Sequence, residues 1–127
     1  MAAGLAHWAF AFAFTQAVEI PLYCRLLKVR PLVAFGASAL THPVVWFVMP
    51  RLADTLFAAM SLHQLTIVHN GLFRTLAFAA LAEGFAVLAE ALYFRAFKAP
   101  RPFRTSLLVN AASALLGYLC WSLTGWP

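Results

Sequence analysis

Long apolar runs separated by short polar or basic interruptions dominate this chain, and each run is close to one membrane thickness in length. A helix rises ~1.5 Å per residue, so about 20 apolar residues cross the ~30 Å hydrocarbon core. Residues 4–24, 31–49, 72–94 and 105–124 meet that requirement. The second run is expected to end at Pro50-Arg51, and the third to start after the turn signal Asn70-Gly71. The fourth stops before Gly125-Trp126-Pro127. The pattern predicts an all-α, polytopic four-helix transmembrane bundle.

Segment 51–70 is apolar enough to suggest a fifth span. It carries Arg51, Asp54, His63, Gln64 and His69, which are costly in lipid. A fifth span would also put the two basic loops on opposite membrane faces. The segment is therefore expected to be an outward surface or partly re-entrant connector with a short interfacial helix.

Composition supports the bilayer as solvent. Of 127 residues, 64% are hydrophobic and 10% charged, whereas a soluble domain carries about a quarter charged. Mean hydropathy is +0.83. The first run lacks a basic flank of the kind a signal peptide has, and it is long enough to span, so it reads as a retained helix.

The net charge of +5 is concentrated: seven of nine basic residues lie in stretches 25–30 and 95–104. With four spans both loops fall on one side, which the positive-inside rule makes cytoplasmic. An inner-membrane topology follows, with both termini and connector 51–71 on the outer side. No extended basic face exists, which argues against nucleic acid as a partner. Cys24 and Cys120 then lie near opposite faces, too far apart for a disulfide.

Two stretches resemble each other. Leu22, Tyr23, Arg25 and Lys28 recur as Leu92, Tyr93, Arg95 and Lys98; Arg30-Pro31 recurs as Arg101-Pro102. Further on, ASAL at 37–40 recurs at 112–115, and Trp46 as Trp121. The chain therefore divides into hairpin 4–50, connector 51–71 and hairpin 72–127, a parallel internal repeat about an axis along the membrane normal. Tyr23, Tyr93, Trp8, Trp46, Trp121 and Trp126 fit an aromatic belt at the interfaces.

Three of the four acidic residues, Glu19, Glu83 and Glu90, fall inside predicted spans. A carboxylate at the bilayer centre costs at least ~2.5 kcal/mol, so each must face the interior, find a partner or carry a proton. Counting from the basic loops places Glu19, Glu90 and Asn110 about 7–9 Å deep, with Ser38 slightly deeper. His42 and Glu83 fall about 18 Å deep, near Gln16, Thr41 and Ser113. Two polar layers are expected, the deeper built around a His42–Glu83 pair. Glu83 and Glu90, seven residues apart, share a helix face and link the layers. Pro21 and Pro43 are expected to break their helices and free carbonyls beside Glu19 and His42.

These residues point first to a proton or small-cation transporter or channel lined by Glu19, His42, Glu83, Glu90, Asn110, Gln16 and Thr41. A non-catalytic subunit or scaffold of a larger membrane complex is the alternative, and a homo-oligomer suits so small a unit. An intramembrane enzyme acting on a lipid or transmembrane peptide ranks third, because no nucleophile motif or full ligand set is present. His42 and Glu83 are weak metal candidates; His63, His69, His7 and Met60 are weaker still.

Overall fold

A computed structural model describes residues 2–63 and 65–125, so Met1, Gln64, Trp126 and Pro127 lie outside the described residues. It is all-helical. Helix α1 spans Ala2–Leu27 and α2 spans Pro31–Pro43. A π-helical turn, Val44–Val48, joins α2 to α3, Met49–Leu62. A 3-10 turn, Thr66–His69, precedes α4, Gly71–Ala96, and α5 spans Pro102–Thr124.

Three helices are long and apolar enough to cross a membrane: Pro31–Leu62, Gly71–Ala96 and Pro102–Thr124. Helix α1, with 26 residues, has the length.

Helix ends follow local chemistry. Pro31 and Pro102 open α2 and α5, where the missing N–H is no loss. The Asn70 side chain accepts a hydrogen bond from the Phe73 N–H at 3.1 Å and caps α4. The chain leaves α1 and α4 through lysines in the left-handed region, Lys28 with φ 55° and Lys98 with φ 56°. At the α4 end, the Ala99 N–H bonds back to the Phe94 carbonyl at 3.0 Å, which closes the last turn.

The second helix departs from expectation. Pro50 and Arg51 do not end it; one helix of 32 residues continues to Leu62, about 48 Å long. The π turn follows Pro43 directly and widens the helix where the proline removes a donor. Pro50 then falls two residues past the π turn, at the start of the α-helical segment α3. Residues 51–62 are thus a helical continuation packed on α4, not a separate surface helix. Asp54 and Arg74 form an ion pair at 3.2 Å there, and the Arg74 guanidinium lies 4.9 Å from the centre of the Phe57 ring. At the other proline, α1 runs through Pro21 as one element.

Helix α1 packs on α2 and α5, and α4 packs on α5 and α2. Side-chain placement is inverted relative to a water-soluble domain. Leu32, Leu88, Leu92, Leu108 and Leu115 point outward. Gln16, Glu19, Ser38, Thr41, Glu90 and Asn110 are buried. Small residues such as Ala34, Ala37, Ala82, Ala86 and Ala91 fill the contacts, which lets backbones approach closely. At the basic-loop end, Tyr23, Leu27, Ala34, Ala37, Phe94 and Val109 form an apolar plug. At the opposite end, Ala53, Phe57 and Val68 form a smaller cluster.

Gly36 makes room for the Tyr93 side chain where α2 meets α4. A β-carbon there would run into the Tyr93 hydroxyl and come within 3.2 Å of its ring carbon Cζ. Gly36→Val should displace Tyr93 and destabilise the fold by about 1–3 kcal/mol, the usual cost of overpacking. Thermal unfolding in mild detergent should show a lower midpoint, largely restored when Tyr93→Ala is added.

Candidate functional site

Buried polar side chains from four helices meet just above the apolar plug. Glu90 on α4 is 1% exposed and Glu19 on α1 is 2% exposed. Apolar surroundings give a carboxylate nothing, so each oxygen must be met by a donor.

Glu90 is met from three helices. The Tyr23 hydroxyl of α1 donates to its Oε2. Asn110 Nδ2 of α5 donates to the same oxygen at 2.7 Å. Thr41 Oγ1 of α2 donates to Oε1 at 2.9 Å. Asn110 also lies 3.2 Å from the Tyr23 oxygen, so the node is closed on itself.

Glu19 is met from two helices. The Ser38 hydroxyl of α2 donates to Oε2, and the Ser113 hydroxyl of α5 donates to Oε1 at 2.7 Å. These serines occupy the same place in the two ASAL stretches. Ser113 Oγ also lies 3.0 Å from the Asn110 carbonyl, so the two nodes adjoin. Neither carboxylate has a basic partner; the one ion pair among the described residues is Arg74–Asp54, at the far end.

Above the nodes lies a cavity of about 350 Å³. Thr41, Asn110 and Ser113 face it, and each also bonds one of the two glutamates. Its walls include His42, Trp46, Glu83, Tyr118 and Trp121. Between cavity and basic-loop end stands the apolar plug. The cavity is therefore bounded below by a polar floor with two carboxylates just beneath it.

The expected layers are rearranged. Glu19, Glu90 and Asn110 come together as one region, and Thr41 joins Glu90. Ser113 was expected beside His42 and instead bonds Glu19. His42 and Glu83 line the same cavity, and no hydrogen bond joins them. The His42 ring packs on aromatic neighbours: 5.2 Å from Phe12 at its edge and 6.0 Å from Trp46 in a stack. Its Nδ1 is buried without a hydrogen-bond partner. Gln16 is buried and both its amide atoms lack partners. Glu83 is exposed at the rim, one face above Glu90. Among the described residues, no three His, Cys, Asp or Glu side chains gather as a metal site requires.

Tyr23 is the residue that the aromatic-belt expectation misplaces. It is fully buried, lies 4.5 Å from Phe94 with the two rings tilted by 48°, and donates to Glu90. Its spacing of four from Glu19 puts both on one helix face and was the available signal. Trp8 and Trp46 pack around His42, and Trp126 lies outside the described residues.

Hydrogen bonds between membrane helices contribute about 0.6 kcal/mol on average, up to ~1.7. Ser113→Ala leaves Oε1 of Glu19 without a donor and should cost toward the upper end of that range. Asn110→Ala should cost less, because Tyr23 and Thr41 still meet both oxygens of Glu90. Unfolding by SDS titration from mixed micelles measures both, and equal costs would contradict this ordering.

Comparison with family models, curated proteins and solved structures returns no match to this chain, so its chemistry is read from its own geometry.

Proposed function

We propose that this protein moves protons or a small cation across a membrane, with Glu19 and Glu90 as the exchanging groups. The observation that carries this is a pair of carboxylates in an apolar bundle, bonded to hydroxyls and an amide but to no cation. Each oxygen pair can take up a proton or a small cation in place of one neutral donor. The cavity supplies access from one side, and the plug of Tyr23, Leu27, Phe94 and Val109 closes the other. A site open to one side at a time is what coupled movement requires.

The site is read as the centre of four crossing helices, made of two tandem hairpins. Helix α1 joins the three most apolar helices as a span because its Gln16 and Glu19 face inward. The repeat is supported by Lys28 and Lys98, which match in sequence and share one left-handed conformation. It is supported again by Ser38 and Ser113, which reach the two oxygens of one carboxylate. In this reading loops 25–30 and 95–104 are cytoplasmic, and both termini and segment 51–71 face outward.

One observation favours a second reading. Glu90 ties α1, α2 and α5 together through three donors, as a clamp in a scaffold or complex subunit would. The two readings separate on Glu90→Gln, which keeps the shape and one accepting oxygen but cannot exchange charge.

In proteoliposomes carrying a pH-sensitive dye, the wild type should dissipate an imposed gradient. Glu90→Gln and Glu19→Gln should each slow this at least tenfold while the protein remains folded and monodisperse. Unchanged flux in the double variant sinks the transport reading, and loss of assembly with no wild-type flux supports the scaffold. Topology is checked separately: cysteines placed at Lys28 and Lys98, in a background lacking Cys24 and Cys120, should both react with an impermeant maleimide only in inverted vesicles. Reaction of the two from opposite sides would refute the tandem-hairpin arrangement.

A further inference from the structure

We propose that the cavity binds a small organic cation, an amine or quaternary ammonium compound, between its aromatic walls and the Glu83 carboxylate. This deepens the transport reading and rests on it: the cation is the species moved, in exchange for protons on the glutamates below.

Size comes first. A cavity of about 350 Å³ is within the range that holds small organic ligands, and far more than a bare ion needs. An inorganic cation also wants several oxygen ligands at once. Here no three carboxylate, imidazole or thiol groups gather among the described residues, and much of the wall is carbon.

The wall chemistry is specific. Trp46, Tyr118 and Trp121 line the cavity from α5 and from the π turn. The Tyr118 and Trp121 rings lie 6.1 Å apart and are tilted by 40°, so they form a corner rather than a sealed stack. Aromatic faces attract ammonium groups through their quadrupole, most strongly where water is excluded.

The charge is one-sided. Glu83 is the acidic residue on the lining, and no lysine or arginine lines it. Glu83 makes no ion pair among the described residues. The floor groups Thr41 and Asn110 bond Glu90, and Ser113 bonds Glu19, so two more carboxylates lie just below. His42 Nδ1, on the same lining, is a buried polar atom without a partner, which the N–H of a protonated amine can satisfy; a quaternary ammonium group has no such hydrogen and is held by the aromatic faces and Glu83 alone. An anion is disfavoured on every side, and a purely apolar occupant leaves Glu83 unanswered.

A way in is also present. Glu83 borders a second, apolar groove formed with Gly84, Val87 and Leu88 of α4 and Phe103 and Leu107 of α5. Nothing stands within 4 Å of the space beside Gly84. Glu83 thus sits between this outer groove and the cavity, where a cation with an apolar body arriving from the bilayer first meets a carboxylate.

The test is equilibrium binding to the full chain in nanodiscs, read by quenching of tryptophan fluorescence. The probe is benzyltrimethylammonium, with neopentylbenzene as its uncharged isostere. The cation should bind saturably, and at least tenfold more tightly than the isostere. Glu83→Gln should weaken the cation about tenfold and leave the isostere unchanged. Trp121→Leu should weaken the cation several-fold, with fold integrity checked by size exclusion and circular dichroism. Equal binding of cation and isostere, or an unchanged affinity in Glu83→Gln, overturns the proposal in favour of an apolar occupant; absence of saturation overturns it outright. Proton flux that depends on Glu90 without cation binding leaves the transport reading standing and removes this one. Cation binding in a protein with no flux removes the transport reading and leaves a cation-binding cavity.

Discussion

The structure depends on how two carboxylates are accommodated in a medium that cannot solvate them. Lipid offers no donors, so the bundle must supply them from its own helices. Glu90 takes a phenol, an amide and a hydroxyl; Glu19 takes two hydroxyls. Those five donors come from α1, α2 and α5, and no helix satisfies a glutamate alone. The positions of the helices relative to one another are thereby fixed by polar geometry, while alanines and Gly36 allow the approach that such short bonds demand.

The same arrangement separates two ends with different characters. At the basic-loop end the contacts are apolar and closed, with Phe94 against Tyr23. Toward the other end the helices leave a cavity, and contact passes to the α3–α4 pair with its Asp54–Arg74 bridge. Exposed ion pairs of this sort contribute ~1 kcal/mol or less. The open end rests on that bridge and on the smaller Ala53, Phe57 and Val68 cluster.

Much of this was legible in the sequence. The apolar runs at 72–94 and 105–124 lie inside α4 and α5, because a bilayer sets length directly and leaves little for tertiary context to alter. That Glu19, Glu90 and Asn110 face one region followed from depth counted off the basic loops. Depth says nothing of how closely neighbouring helices cover a position, however, and that is what separates Glu83, exposed at the rim, from Glu90, buried two turns away on the same face. Nor does depth fix rotation about a helix axis, which brings Ser113 onto Glu19. The end of the second helix was illegible for another reason. Proline normally stops a helix, and only the π turn between Pro43 and Pro50 reveals how this one continues.

That π turn sets a phase as well as a length. Buried positions in α2, Ala34, Ala37, Ser38 and Thr41, recur at the helical period. Carried forward unbroken, the same stripe would fall near residues 52 and 55–56, whereas Ala53 and Phe57 are the buried ones. One extra residue in a turn rotates everything beyond it by about 100°. The two halves of this helix are thus indexed independently, one against the glutamates and the other against α4. Deleting a single residue from 44–48 would turn α3 like a dial, swinging Asp54 and Phe57 away from Arg74 while leaving Ser38 and Thr41 in place. Insertions and deletions elsewhere in the chain's loops are changes of length; here, one is a change of partner.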